Sequence, residues 1–187
     1  MSVVGEPGGQ APIDVRPAEP EELAALAAVA LAAARSDLGW AGQDWISPDP
    51  VLVRQLWWDR LRDERSFVMA AFSAFTCVGA AAGWPAPTLQ GRAPKVAYLA
   101  GPIVDPEWWG EGIGGALLEE TLGVLERLRF ARVEVGIPAG NRRGRRFLER
   151  GGWQGEQPQR RSPMAIVLYA LDLGGGKTIE NRSQYAA

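Results

Sequence analysis

The glycines between Val104 and Leu118 have the spacing of an anion-binding turn. This stretch reads Val-Asp-Pro-Glu-Trp-Trp-Gly-Glu-Gly-Ile-Gly-Gly-Ala-Leu-Leu, so an apolar strand ends at a proline and a glycine-dense turn runs into an amphipathic helix. Glycine lets a backbone approach an anion closely and adopt positive φ. The first N–H groups of a helix lack partners within it, and the helix dipole favours negative charge there. The turn therefore predicts a phosphate site, and a pyrophosphate is its natural ligand.

Two segments together resemble the acyl-coenzyme A (acyl-CoA) binding motifs of the GNAT family of N-acetyltransferases. The family's Arg/Gln-x-x-Gly-x-Gly/Ala signature falls on Trp109, Gly112 and Gly114. Downstream, 141–153 reads Asn-Arg-Arg-Gly-Arg-Arg-Phe-Leu-Glu-Arg-Gly-Gly-Trp. This segment is similar to the family's Asn-x-x-Ala-x-x-Phe-Tyr-Glu-x-x-Gly-Phe. The resemblance covers roughly Ile13 to Leu173.

The resemblance implies acetyl-CoA as co-substrate, and it implies which residues bind it. The strand end at Ile103 and Val104 would pair with the pantetheine arm like an added strand. The backbone N–H of Val104 would polarise the acyl carbonyl, and the glycine turn would hold the pyrophosphate. The implied cofactor-binding residues are Ile103, Val104, Trp109, Gly110, Glu111, Gly112, Ile113, Gly114, Gly115, Asn141, Arg146 and Phe147.

Arginines cluster around the second motif at positions 142, 143, 145 and 146. Attraction for the ribose 3′-phosphate of coenzyme A, assigned to Arg146, is one interpretation. A solvated helix face is the other, because only one or two of these side chains can point at one ligand. RNA binding is a third interpretation with less support, since the chain carries a net charge of −2.

Two positions depart from the family pattern. Trp109 stands where a basic or amide residue is usual, so backbone donors would have to hold the pyrophosphate. Leu148 stands where the family has the tyrosine that protonates the leaving thiolate, and losing a general acid can cost ~10²–10⁴ in rate. Tyr98, in the strand before the turn, is a catalytic candidate in its place, and solvent can also protonate a thiolate whose pKa is ~8.5. Glu107 and Glu134 are candidates for the general base, beside a water relay.

The acceptor side is predicted from the tryptophans, of which the chain has eight. Trp40 and Trp58 are the substrate-binding candidates, because they lie in the region between and on the first two helices, where the family forms its acceptor cleft. Asp37 or Asp44 would pair with an ammonium group. The alternative for these tryptophans is core packing.

The chemistry is restricted by what the composition lacks. The chain has no histidine and one cysteine, Cys77, which excludes histidine-based catalytic systems, disulfides within the chain and thiolate metal clusters. We expect no metal, no nucleic-acid partner and no membrane partner. No secretory signal is evident, so a cytoplasmic location is predicted. A homodimer is left open.

The glycines also fit two other patterns. Gly110-x-Gly112-x-x-Gly115 satisfies the dinucleotide fingerprint, and Glu134 follows at a suitable distance. Two facts argue against a dinucleotide-binding site. The residues from Pro106 to Trp109 separate the strand from the glycines, and several predicted strands precede this strand, whereas the fingerprint should open the first βαβ unit. The stretch 174–178 ends like a Walker A loop but has Leu171 in place of the first glycine. A plain loop-to-helix turn remains the structural alternative.

Hydrophobic periodicity predicts the elements that must position these residues. Strands are expected at 13–16, 67–73, 76–83, 95–104, 131–137 and 164–171. Helices are expected at 21–35, from the Ser47-Pro-Asp-Pro50 start signal onward, at 113–129 and at 141–150. The second of these should bury Val53, Leu56, Trp57 and Leu61, and the last should have Asn141 as its N-cap and Gly151 as its C-terminal stop. This order predicts an α/β fold with a mixed, mostly antiparallel sheet flanked by helices, and the family implies splayed central strands. The domain would span 13–173, between a disordered start (1–12) and a flexible tail (174–187).

The leading functional hypothesis is transfer of an acetyl group from acetyl-CoA to a primary amine of a small molecule or peptide, by direct attack in a ternary complex. The alternative is a catalytically weak, GNAT-like module that binds acyl-CoA as a sensor or interaction domain. An O-acyltransferase or a longer-chain acyltransferase is a third class.

Overall fold

The computed structural model describes residues 12–36, 48–86, 95–161 and 164–174. Among them are four α-helices, which we number α1 (Leu23–Ser36), α2 (Pro50–Arg62), α3 (Ile113–Arg127) and α4 (Arg142–Arg150). Short 3-10 turns at Pro20–Glu22 and Pro106–Trp108 lead into α1 and into the glycine turn.

The strands form one mixed, mostly antiparallel sheet in the order β1-β2-β3-β4-β5-β8-β6, with β7 also paired to β8. Their bounds are β1 (Ile13–Pro17), β2 (Phe67–Ser73), β3 (Thr76–Pro85), β4 (Val96–Val104), β5 (Arg132–Pro138), β6 (Gln154–Gly155), β7 (Gln159–Arg161) and β8 (Met164–Asp172). Only β4 and β5 run parallel among these pairs. The predicted fold class is confirmed.

The central strands β4 and β5 separate after a short contact. Their parallel register covers only Val96–Tyr98 opposite Arg132–Glu134, although β4 continues to Val104 and β5 to Pro138. Beyond this point β4 stays paired with β3, and β5 stays paired with β8. The edge of β4 that faces β5 is therefore open from Leu99 onward, which is the predicted splay.

Helices cover both faces of the sheet. On one face, Leu117, Leu118 and Leu122 of α3 are buried against the sheet together with Leu148 of α4. On the other face, Leu26 of α1 and the buried residues of α2 pack on β2 and β3. Burial of these apolar side chains supplies most of the favourable free energy that holds each layer in place.

Caps fix where two helices begin. The carboxylate of Asp49 accepts the backbone N–H of Val51 at 2.8 Å, and Pro50 occupies the first turn of α2. The amide oxygen of Asn141 accepts the N–H of Gly144 at 2.8 Å and starts α4. Both starts were predicted, and Gly151 is the C-cap of α4 as expected.

The remaining predicted boundaries agree to within a few residues, with two corrections. Leu56 was predicted on the buried stripe of α2, but its side chain is 53% exposed, while Val53 and Trp57 are buried. The short strands β6 and β7 were not predicted, because they are too short to show a periodic pattern. The predicted disordered start and tail lie almost entirely outside the described residues.

Candidate functional site

A cleft of about 810 Å³ lies at the C-terminal end of β4, where the glycine turn, the start of α3 and the start of α4 meet. The splay opens the sheet at this edge, and α4 forms the opposite wall. Nine of the predicted cofactor-binding residues line it: Ile103, Val104, Trp109, Gly110, Gly112, Ile113, Gly114, Asn141 and Phe147.

The glycine turn has the backbone geometry of an anion cradle. Gly110 and Gly112 have φ of +97° and +76°, a region that side chains with a Cβ rarely adopt. A Cβ built on either residue meets nothing within 4 Å, so both face open space. Gly112 is the N-cap of α3, and the amides of Ile113 and Gly114 follow it at the positive end of the helix dipole. The turn therefore fits a pyrophosphate.

Val104 presents its backbone to the gap between β4 and β5. The next amide, that of Asp105, donates to the Val78 carbonyl on β3 at 2.9 Å. Because successive amides of a strand point to opposite edges, the Val104 N–H points away from β3, toward the cleft. By the same alternation the N–H of Ile103 faces β3, and Pro102 has no N–H at all. Val104 is thus the donor that this part of β4 offers to a ligand.

Trp109 reaches back over the same strand end. Its indole Nε1–H donates to the carbonyl oxygen of Val104 at 3.0 Å. The guanidinium of Arg143 lies 4.0 Å from the centre of the indole ring, in the position of a cation–π contact. The residue that replaces the family's basic side chain therefore spans the cleft between β4 and α4.

Phe147 and Gly114 form the floor of the cleft. A Cβ built on Gly114 would lie 3.7 Å from the Phe147 ring and 3.7 Å from Val104 Cγ2. A Cβ at this position would make ordinary van der Waals contact with both side chains, so the hydrogen of Gly114 leaves extra space at the floor of the cleft. Asn141 lines the cleft while its amide oxygen caps α4, which leaves its NH₂ group as the polar atom available to a ligand.

The arginines divide into two roles. Arg142, Arg143 and Arg150 line the cleft, and they also border an adjoining depression of about 900 Å³ that includes Arg146. Arg146 itself is exposed and does not line the main cleft. Positive charge is therefore concentrated beside the cradle despite the acidic composition of the chain.

Arg145 points instead into a structural network. Its Nε donates to the Tyr169 hydroxyl at 3.2 Å, and its Nη1 donates to the Ala139 carbonyl at 3.2 Å. The Tyr169 hydroxyl donates to Glu149 at 2.5 Å. Burial of the ring, followed by the hydrogen bond to Glu149, raises the pKa of Tyr169. This network fastens α4 to β8 and so sets the position of the cleft wall.

Tyr98 and Glu134 meet at the apex of the splay, outside the cleft. They are opposite each other in the last parallel pair of β4 and β5. Tyr98 faces away from α3, because its neighbours Ala97 and Leu99 belong to the core on that side, and its ring contacts Trp84 edge-on at 6.4 Å between centroids. Glu134 accepts from Arg132 Nε at 3.1 Å. Glu107, the other candidate base, is exposed in the 3-10 turn before the cleft.

Several predicted residues are not brought into the cleft. Gly115 is buried, and its N–H already donates to the Gly112 carbonyl at 2.9 Å. Glu111 is exposed beside the turn but does not line the cleft. Trp58 lies on α2 with the Arg62 guanidinium 5.4 Å from its ring centre. Trp40, Asp37 and Asp44 lie outside the described residues.

Several residues that line the cleft were not predicted to bind the cofactor, among them Ala33, Ser36, Trp108, Gly140 and Arg150. Ala33 and Ser36 lie at the C-terminal end of α1, which the sheet brings to the cleft from the opposite face. No local motif marks them, because their position depends on the packing of α1 against β4. Trp108 and Gly140 are the sequence neighbours of Trp109 and Asn141, which were predicted.

Within the described ranges, no group of three His, Cys, Asp or Glu side chains is placed to hold a metal ion. None of the helices in these ranges has the length and apolar character needed to cross a bilayer.

The sequence profile of the Acetyltransferase (GNAT) family matches residues 32–153, about two thirds of the chain. The chain belongs to the GNAT acetyltransferase family. The match includes β4, the glycine turn, α3, β5 and α4, so all the residues that line the cleft lie within the matched region. No curated protein matches the sequence.

Solved GNAT structures share the fold at low sequence identity. A ribosomal-protein-alanine N-acetyltransferase from Brucella melitensis is 23% identical, with a TM-score of 0.68 over 85% of this chain and 99% of that one. The protein yncA from Salmonella typhimurium, solved with its cofactor acetyl-CoA, is 16% identical, with a TM-score of 0.68 over 89% and 96%. The PaiA N-acetyltransferase from Thermoplasma acidophilum, in complex with coenzyme A, is 15% identical, with a TM-score of 0.62 over 84% and 98%.

Proposed function

We propose that this GNAT protein transfers an acetyl group from acetyl-CoA to a primary amine of a small molecule or peptide. The observation that carries the proposal is the open edge of β4 leading directly into a glycine turn with positive φ at Gly110 and Gly112. The open edge suits an arm with amide groups, and the turn suits a pyrophosphate. Two structural neighbours solved with coenzyme A or acetyl-CoA support the same co-substrate.

The proposed reaction needs no covalent intermediate on the protein. The free amine attacks the thioester carbonyl carbon, the C–S bond breaks, and coenzyme A leaves as the thiolate. The Val104 N–H is the proposed donor to the oxygen that gains negative charge, a contact of the kind worth roughly 3–4 kcal/mol where one oxyanion donor has been removed. The proton lost by the amine passes to a base, for which we propose a water relay, because Glu134 lies opposite Tyr98, six residues along β4 from Val104.

The acceptor is proposed to approach from the face that carries Tyr98 and Trp84. These rings and the Glu134 carboxylate lie at the apex of the splay, at the end of the open β4 edge that is farther from the glycine turn. The aromatic surface favours amines with apolar bodies. A panel of aromatic, aliphatic and peptide amines, followed by release of coenzyme A thiol, tests this choice. Light scattering of the same samples tests the homodimer.

The alternative function, an acyl-CoA sensor, is favoured by one observation. Leu148, which replaces the family's thiolate-protonating tyrosine, is 1% exposed and packs in the core. Within the described part of the chain, no tyrosine lines the cleft. Steady thiol release above the rate of hydrolysis with any amine in the panel supports the enzyme. Saturable binding without release for every amine supports the sensor.

Arg146 is proposed to attract the 3′-phosphate of coenzyme A from the depression next to the cleft. The test compares coenzyme A with dephospho-coenzyme A, which lacks only that phosphate. Arg146→Gln should narrow the difference in Kd between the two ligands, whereas Arg54→Gln, an exposed change on α2, should leave the difference intact. An unchanged difference in Arg146→Gln contradicts the assignment and favours a solvated face.

A further inference from the structure

Trp109 occupies the part of β4 that the co-substrate needs. Its indole N–H is bonded to the Val104 carbonyl at 3.0 Å, on the edge that faces the gap rather than β3. The proposed function, on which this inference rests, uses the same edge for the pantetheine arm. That arm carries amide N–H groups, and a strand-like pairing would direct one of them to the Val104 carbonyl. The indole and the arm therefore compete for one acceptor and for the space in front of it.

Arg143 holds the other side of the indole. Its guanidinium lies 4.0 Å from the ring centre, and both side chains line the cleft. Trp109 itself is 37% exposed, so the part of the chain that the structure describes leaves the ring free to move. The contact also keeps Arg143 on the ring, although this cation is suited to a phosphate oxygen. Displacement of the indole would thus free a hydrogen-bond acceptor and a cation together.

We propose that Trp109 is an exchangeable seal that recognises the pantetheine arm. The indole closes the open edge of β4 until an amide N–H of the arm takes the Val104 carbonyl. The ring then leaves, and Arg143 turns to the phosphates of the same ligand. A nucleotide without the arm reaches the glycine turn but has no amide with which to displace the indole. The seal therefore responds to an acyl carrier and not to nucleotides in general.

Trp109→Phe is the matched variant, because phenylalanine keeps an aromatic ring for Arg143 but has no N–H to donate. Removing the competing hydrogen bond should tighten the binding of coenzyme A by roughly two- to tenfold. The affinity for 3′-phosphoadenosine 5′-diphosphate, which keeps the whole nucleotide of coenzyme A with its pyrophosphate but has no arm, should not change. Calorimetry measures both values on the full chain.

The movement itself is visible in the indole N–H region of a proton–nitrogen NMR spectrum. The Trp109 signal is the one missing from the Trp109→Phe spectrum, and the signals of the other tryptophans serve as internal controls. Coenzyme A should shift the Trp109 signal in the direction of a lost hydrogen bond, whereas 3′-phosphoadenosine 5′-diphosphate should leave it in place.

The outcomes separate this inference from the proposed function. If coenzyme A binds while the Trp109 signal stays unchanged, the indole is not displaced and the proposed seal is wrong. The same conclusion follows if Trp109→Phe weakens the binding of coenzyme A. In both cases the proposed function stands. If 3′-phosphoadenosine 5′-diphosphate shifts the signal as coenzyme A does, the ring responds to the nucleotide and recognition of the arm is wrong. If coenzyme A does not bind at all, both the seal and the proposed function are wrong.

Discussion

At the scale of single residues, the cradle depends on a hydrogen in place of a side chain at Gly114. A Cβ there meets Phe147 and Val104 at ordinary contact distance, so the fold tolerates alanine. The added methyl group takes up space at the floor of the cleft, where the ligand would lie. Gly114→Ala should weaken acetyl-CoA binding by roughly tenfold, the scale of a modest steric overlap. Isothermal titration calorimetry measures the loss.

Gly123→Ala is the control for this change, since it lies in the same helix and away from the cleft. Alanine is the better helix former by ~1 kcal/mol, so both variants should resist urea at least as well as the original chain. Equal acetyl-CoA affinity in the two variants contradicts the place we give to Gly114.

Cys77 illustrates how burial removes reactivity. The thiol is buried, and its S–H donates to the Gly79 carbonyl at 3.6 Å. Burial raises the pKa of Cys77 from 9.0 to about 11, so about one thiol in a thousand is ionised at pH 8. Iodoacetamide should therefore label the native protein far more slowly than the urea-unfolded chain. Labelling at equal rates contradicts the buried placement.

The same shift gives a pH dependence with a definite sign. Between pH 9 and pH 11 the unfolded chain has lost the Cys77 proton while the native state keeps it. Stability must then fall as pH rises, because the native state binds more protons. Urea unfolding of Cys77→Ala, compared with the original chain across this window, should show a smaller decline. If the free energy of unfolding falls equally with pH in both proteins, the raised pKa of Cys77 is contradicted.

At the scale of elements, the residue that precedes α4 sets the helix in place. Asn141 caps the helix and also lines the cleft, so stability and binding can be separated by choice of substitution. Asn141→Ala should lower the free energy of unfolding by ~1 kcal/mol. Asn141→Asp keeps the cap but places negative charge beside the phosphates, so stability should hold while acetyl-CoA binding weakens. Urea titration and calorimetry give the two quantities.

Asp49→Ala on α2 provides the comparison for the cap. It should cost a similar ~1 kcal/mol of stability, since Asp49 caps α2 as Asn141 caps α4, but leave acetyl-CoA affinity unchanged. If Asn141→Asp binds acetyl-CoA as well as the original chain, the phosphates do not lie near this helix start.

The hydrogen bonds of Tyr169 fasten the other end of the cleft wall. Its hydroxyl joins Arg145 and Glu149 of α4 to β8. Tyr169→Phe should destabilise the fold by ~1 kcal/mol, the usual net contribution of one hydrogen bond, and Glu149→Gln in the same background should add less than it does alone. A double-mutant cycle in urea measures this coupling, and strict additivity contradicts the network.

At the scale of the whole molecule, the sequence predicted what depends on local pattern. The glycines at 110 and 112, the Asn141 cap and the alternation of the strands are each readable within a few residues, and the fold class followed from their order. The hydrogen bond from Trp109 to Val104, the approach of Ser36 to the cleft and the burial of Leu148 could not be predicted from the sequence. They depend on contacts between elements far apart in sequence, which periodicity does not encode.

The sequence also placed Leu56 of α2 inside, where the structure has it outside. The spacing of apolar residues predicts which face of a helix is buried, but it does not give the width of the buried face, and Leu56 lies outside that width. Tyr98 was correctly assigned to the strand before the turn, yet only the register with Glu134 shows that it stands at the apex of the splay.

Calorimetric titration with acetyl-CoA tests the central claim most directly, because the claim is that the open edge of β4 and the glycine turn together hold an acyl-CoA. The original chain should release or absorb heat that saturates at one ligand per chain, and its melting temperature should rise with ligand concentration. Gly114→Ala should need a higher concentration for the same saturation. No saturable heat and no rise in melting temperature for the original chain, at millimolar acetyl-CoA, would contradict the account.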